Sequence, residues 1–129
     1  MGHVHQNVTL SANRKSERVR MFVDTGATFS VIPPELAAKI GLVGLKKRLR
    51  ISLATGMLVT MEAGTAFFKL LGREAPCTVL VGSVEEPIMG VETLEALGLA
   101  VDPTSGRLKK TRAWTVRIGG AWRGARPSL

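Results

Sequence analysis

Two aspartates are all this chain of 129 residues contains, and one of them stands where a carboxylate is costly. In MFVDTGATFS, residues 21–30, Asp24 directly follows an apolar run, and apolar residues resume within five positions. A loop flanked in this way is pinned against a core. Its carboxylate must be satisfied by hydrogen bonds or share its proton with a second acid, because burying a lone charge is unfavourable. Two carboxyls placed together divide the work of catalysis: the ionised one removes a proton and the protonated one supplies one. The plainer reading is that Asp, Thr and Gly form turns and that an apolar strand has to end in one. The other aspartate, Asp102, lies in VDPTSG, where Pro103 follows it and the Ser-Gly pair comes too late to repeat the first motif, so it reads as a β-turn.

The elements that position Asp24 are mostly strands. VHQNVTL (4–10) and ERVRMFV (17–23) flank the polar SANRKS as a hairpin would. In SVIPPELAAKIGL, Pro34 suits a first helical turn, Glu35 its positive end and Gly41 the position beyond the last turn. LRISL (49–53) alternates apolar and polar residues with the period of a half-buried strand. ATGM then turns, and LVTMEAG, TAFFKLL and CTVLVG read as three strands separated at Gly64, Gly72 and Gly82. After PIMG, the segment VETLEALG spaces Val91, Leu94 and Leu97 along one helical face, with Gly98 as a cap. LAV, a turn in DPTSG, and strands at 107–110 and 114–118 complete a mainly β reading with one or two short helices.

With those elements in place, FVDTGATFSVIP resembles the active-site loop of the retropepsin-like aspartic proteases, and PIMG with VETLEALGLAVDPTSGRL resembles that family's apolar-apolar-Gly element, short helix and closing turn. The likeness spans about residues 4–110. It implies a closed β-barrel of the acid-protease type, a protease domain over 1–110 and a basic C-terminal extension over 111–129. Because the family's chemistry needs two aspartates and this chain has one in the motif, it implies a homodimer with Asp24 contributed by each subunit. The pair would share one proton, activate a water and polarise a scissile carbonyl, hydrolysing peptide bonds with no cofactor and no metal. Thr25 would bond across the dimer at the base of the site, Gly26 and Ala27 would leave room beside the acids, and the Thr28 hydroxyl would support the loop. LATGML occupies the place of the family's flap, so Ala54, Thr55, Gly56 and Met57 would close over an extended peptide or unfolded protein substrate. Gly90 would allow the helix to pack behind the active loop, with Ile88 and Met89 as core or pocket wall.

Composition sets the rivals. The formal charge is +8, but Arg107, Lys109, Lys110, Arg112, Arg117, Arg123 and Arg126 form an acid-free tail of +7, leaving +1 for the body. That tail supports an alternative reading as an anionic-surface or RNA-associated protein, although specific nucleic-acid recognition is not expected. A third reading keeps the cleft as a peptide-binding or dimerisation module with little turnover. A hydrophobic fraction of 45% with 22% charged residues and no run of 18 apolar residues excludes a disordered chain and a helical membrane span. The N-terminal residues do not read as a secretory signal, and the single Cys77 fits a reducing compartment, so a cytoplasmic location is expected. His3 and His5 share a strand face without further ligands, Cys77 reads as a small buried hydrophobe, and Trp114 and Trp122 punctuate the basic tail.

Overall fold

The computed structural model describes residues 4–111. Within them the chain runs β1 (Val4–Ala12), β2 (Lys15–Val23), β3 (Ser30–Ile32), α1 (Pro34–Lys39), β4 (Lys47–Ser52), β5 (Leu58–Leu70), β6 (Arg73–Val81), β7 (Ile88–Met89), α2 (Val91–Leu97), β8 (Leu99–Val101) and β9 (Leu108–Lys110). His3, Trp114, Trp122 and the strand expected at 114–118 lie outside the described residues.

β1 and β2 pair antiparallel from Val4↔Val23 to Ala12↔Lys15, so alternate positions such as Val8, Leu10, Met21 and Val23 face inward together. The six-residue loop expected between them is a tight turn. Asn13 and Arg14 both take positive φ, 43° and 66°, which lets the strands continue almost to the corner. The Asn13 amide also donates to the Gly41 carbonyl, tying this corner to the end of α1.

Seven strands follow the order β1-β2-β7-β3-β6-β5-β4, and an additional pairing of β1 with β5 at Thr9↔Lys69 and Leu10↔Phe68 closes six of them into a ring. The mainly β architecture expected from the sequence, a sheet closed on itself with two short helices, is thus present. Phe68, Leu10, Met21, Ile32, Val79 and Met89 fill the ring and are essentially inaccessible. Full burial of such side chains is worth roughly 1.5–3 kcal/mol each before the entropic cost of ordering them.

Residues 58–70 form one strand where two were expected. Gly64 does not end it. A Cβ there would stand 3.0 Å from a Leu45 methyl and 3.1 Å from a Leu42 methyl, so the glycine serves the approach of the segment after α1. β5 changes partner near this point, pairing with β4 through Ala63 and with β1 from Phe67 to Lys69. The other differences are the short strands β3 and β7, whose parallel pairings with β6 and β2 join segments remote in sequence.

Both helices obey the local signals. Pro34 opens α1, and Gly98 ends α2 in a left-handed conformation at φ 65°. Beyond α2, β8 and β9 pair around residues 102–107. Asp102 is the turn residue anticipated: its Oδ1 accepts the Thr104 N–H at 2.8 Å, and that bond holds its carboxyl below the usual carboxylate range.

Candidate active site

β2 delivers Asp24, and β7 fixes where β2 ends. The two strands pair in parallel at Phe22↔Ile88 and Val23↔Met89. Phe22 N–H donates to Pro87 O at 2.9 Å and Asp24 N–H to Met89 O at 3.0 Å, so the ladder runs one residue into the loop. The carbonyl of Asp24 then accepts the Ala27 N–H at 3.1 Å, closing a tight turn. Its Oδ1 accepts the Gly26 N–H at 2.9 Å. One carboxylate oxygen is therefore held by the loop, and Oδ2 has no hydrogen-bond partner among the described residues. Asp24 is half-buried while Thr25, Gly26 and Thr28 are exposed.

α2 holds the loop from behind. Its first N–H groups, which a helix leaves without internal partners, donate to loop carbonyls: Val91 to Ala27 at 2.8 Å and Glu92 to Thr28 at 2.9 Å. Thr28 thus contributes through its carbonyl, whereas its hydroxyl, expected to support the loop, makes no hydrogen bond within the described chain. Close approach at Gly90 makes this arrangement possible. A Cβ at that position would meet the Phe29 carbonyl carbon and oxygen at 2.6 Å and the Ala27 oxygen at 2.9 Å. Of the neighbouring pair, Met89 is fully buried and Ile88 half-buried, so Met89 is core.

Three side chains that sequence reasoning passed over complete the support. Ser30 Oγ accepts the Gly90 N–H at 3.1 Å and lies 2.7 Å from Thr93 Oγ1, both side chains being fully buried. Glu92 Oε1 accepts the Thr78 N–H at 3.0 Å. The signal for Ser30 and Thr93 was available as two hydroxyl residues inside otherwise apolar patterns, one opening SVI and one on the buried side of VETLEAL. Cys77 packs beside Thr93. Burial pushes its thiol up to about 11, a Thr93 hydrogen bond opposes that shift, and the negative charge of Glu92 adds to it.

The structure brings Asp24, Thr25, Gly26, Ala27 and Thr28 together with Ile88, Met89 and Gly90. Ala54, Thr55, Gly56 and Met57 lie elsewhere, at the tip of the β4–β5 hairpin. Leu53 N–H donates to Met57 O, Gly56 N–H to Leu53 O, both at 2.8 Å, and Gly56 sits at φ 86°. Leu53, Met57 and Leu58 expose large apolar surfaces around this tip.

His5 belongs to neither group. Its Nε2 lies 3.2 Å from Glu86 Oε2 and its ring rests on Phe22 with centroids 5.5 Å apart. Among the described residues no three His, Cys, Asp or Glu side chains cluster as a metal site would require, and no helix is long and apolar enough to cross a membrane.

Comparison with known proteins bears on the fold and the family. The protease of EIAV, solved in complex with the inhibitor HBY-793, superposes with a TM-score of 0.61 at 22% identity, covering 75% of this chain and 89% of that one. A comparison with curated proteins finds no match. The family described as Aspartyl protease matches residues 8–93, a span running from β1 to the buried Thr93 and containing the whole Asp24 loop. On that match, two thirds of its length, the chain belongs to the aspartyl protease family.

Proposed function

We propose that the protein is a homodimeric aspartic endopeptidase in which Asp24 of each subunit forms the catalytic pair. One observation carries the reading: each chain holds a single half-buried Asp in an Asp-Thr-Gly loop, with one carboxylate oxygen anchored by the Gly26 N–H and the other unbonded. Asp102 is occupied by its own turn and does not supply the second acid. A second copy related by a two-fold axis does.

In that dimer the two Asp24 carboxyls share a proton, because like charges so close do not both stay ionised. The ionised carboxylate takes a proton from water as the water attacks the peptide carbonyl carbon. The protonated one hydrogen-bonds the carbonyl oxygen and supplies its proton, and collapse of the tetrahedral species passes a proton to the leaving nitrogen. Thr25, exposed in the single chain, lies against its counterpart and keeps the loops in register. The two β4–β5 hairpins cover the substrate, an extended peptide held mainly through its backbone, as in strand addition.

The test is cleavage of an unfolded chromogenic protein by wild type and Asp24→Asn, from acidic to neutral pH, with dimerisation followed by sedimentation. The expected result is activity in the wild type that falls by about 10²-fold or more in the variant, the scale of general acid–base catalysis, with both proteins dimeric. Equal activity in the two would reject Asp24 as the catalyst. A dimer inactive in both forms would leave the cleft as a binding module.

A further inference from the structure

Ser30 and Thr93 are buried, hydrogen-bonded to each other and absent from the chemistry above, and the direction of the bond between them can be assigned by elimination. Ser30 Oγ accepts the Gly90 N–H at 3.1 Å, and its one remaining polar contact is Thr93 Oγ1 at 2.7 Å. A fully buried hydroxyl proton needs an acceptor, so Ser30 donates to Thr93. The result is a directed chain from Gly90 N–H through Ser30 to Thr93, in which the two bonds polarise one another.

We propose that Ser30 and Thr93 are positioning residues for the Asp24 loop, acting through this directed chain. The chain starts at Gly90, whose backbone lies hard against the Phe29 and Ala27 carbonyls. The next two residues, Val91 and Glu92, hold the carbonyls of Ala27 and Thr28. The residue before, Met89, accepts the Asp24 N–H. Fixing the Gly90 N–H therefore fixes three backbone contacts of the catalytic loop at once, and the Ser30–Thr93 bond ties them to both β3 and α2. Neither hydroxyl touches substrate; each acts through the backbone.

This inference rests on the endopeptidase reading, and the experiment separates the two. Thr93→Val keeps the shape of the side chain and removes the acceptor for Ser30; Thr93→Ser keeps the hydroxyl. Steady-state cleavage is measured well below the melting temperature, together with amide exchange at Asp24, Val91 and Glu92 and, as a remote reference, Phe68. The expected result for Thr93→Val is a kcat lower by about 10- to 100-fold at nearly constant KM, faster exchange at the three loop contacts alone, and recovery in Thr93→Ser. Unchanged kcat per folded dimer, or exchange raised uniformly and including Phe68, would overturn the proposal. If Thr93→Val does not fold, Ser30→Ala takes its place in the same comparison. If the wild type cleaves nothing, the endopeptidase reading fails, while the exchange pattern still decides whether the chain holds the loop.

Discussion

Asp24 and Asp102 carry the same carboxyl group and meet opposite fates. Each accepts a backbone N–H two residues on, but Asp102 does so in an exposed turn, whereas Asp24 does so at the buried end of β2 with α2 behind its loop. The sequence distinguishes them because flanking apolar residues mark the first, and Pro103 marks the second as the turn residue the structure shows. Gly90 was expected, from the resemblance of PIMG to an apolar-apolar-Gly element, to let the helix pack closely, but the tightness of its surroundings was not legible. Its neighbours are all backbone atoms of residues 27–29, which do not yield as a side chain does. Gly90→Ala is expected to destabilise the fold by about 1–3 kcal/mol or more, the cost of overpacking against fixed atoms, read as a lower denaturant midpoint. Ser30 and Thr93 escaped notice for a physical reason: a hydroxyl in an apolar pattern declares that it needs a partner without declaring which, and these two are 63 residues apart.

At the scale of elements, local chemistry was readable where an element is defined by its own residues. The hairpin of β1 and β2, both helices, β4 and the turn before β9 follow from alternation, proline, glycine and capping. β3 and β7 do not, because three and two residues make a strand only when a distant neighbour supplies the other half of each hydrogen bond. Gly64 misled in the opposite sense, being a contact point for two leucines instead of a break. Gly56 does turn the chain, and a Cβ there would touch nothing within 4 Å, so the backbone angle alone is at stake. Gly56→Ala should impose about 1–2 kcal/mol of left-handed strain on the β4–β5 tip. Since that tip has no buried residue, the strain should be relieved by local fraying. Amide exchange should quicken at Leu53 and Gly56, whose N–H groups close the tip, and stay unchanged in the core of β5.

The whole molecule offers one candidate acid loop per chain, and the proposed activity therefore belongs to pairs of chains. Mixing equal amounts of wild type with Asp24→Asn and allowing exchange should leave about one quarter of dimers with two intact acids. Activity of the mixture should then fall to about half of what its wild-type chains give alone, and a strictly additive result would mean that a single chain is sufficient. Within each chain, the ring of strands was expected from resemblance more than from pattern. Alternation told which faces turn inward; only the pairing of β1 with β5 told how the sheet closes.

That closure orders events in time. Of the described strands β1 leaves the ribosome before the others and can find β2 almost at once across a two-residue corner, yet its other edge waits for Phe67, Phe68 and Lys69, some sixty residues later. The loop that holds Asp24 waits longer still, for Met89, Gly90 and Thr93. Contacts so distant along the chain place folding toward the slow end of the range for small domains, where loop closure must be completed before the contacts repay it. The nascent protein therefore carries its aspartate without the backbone frame around it until the ring has shut and α2 has docked.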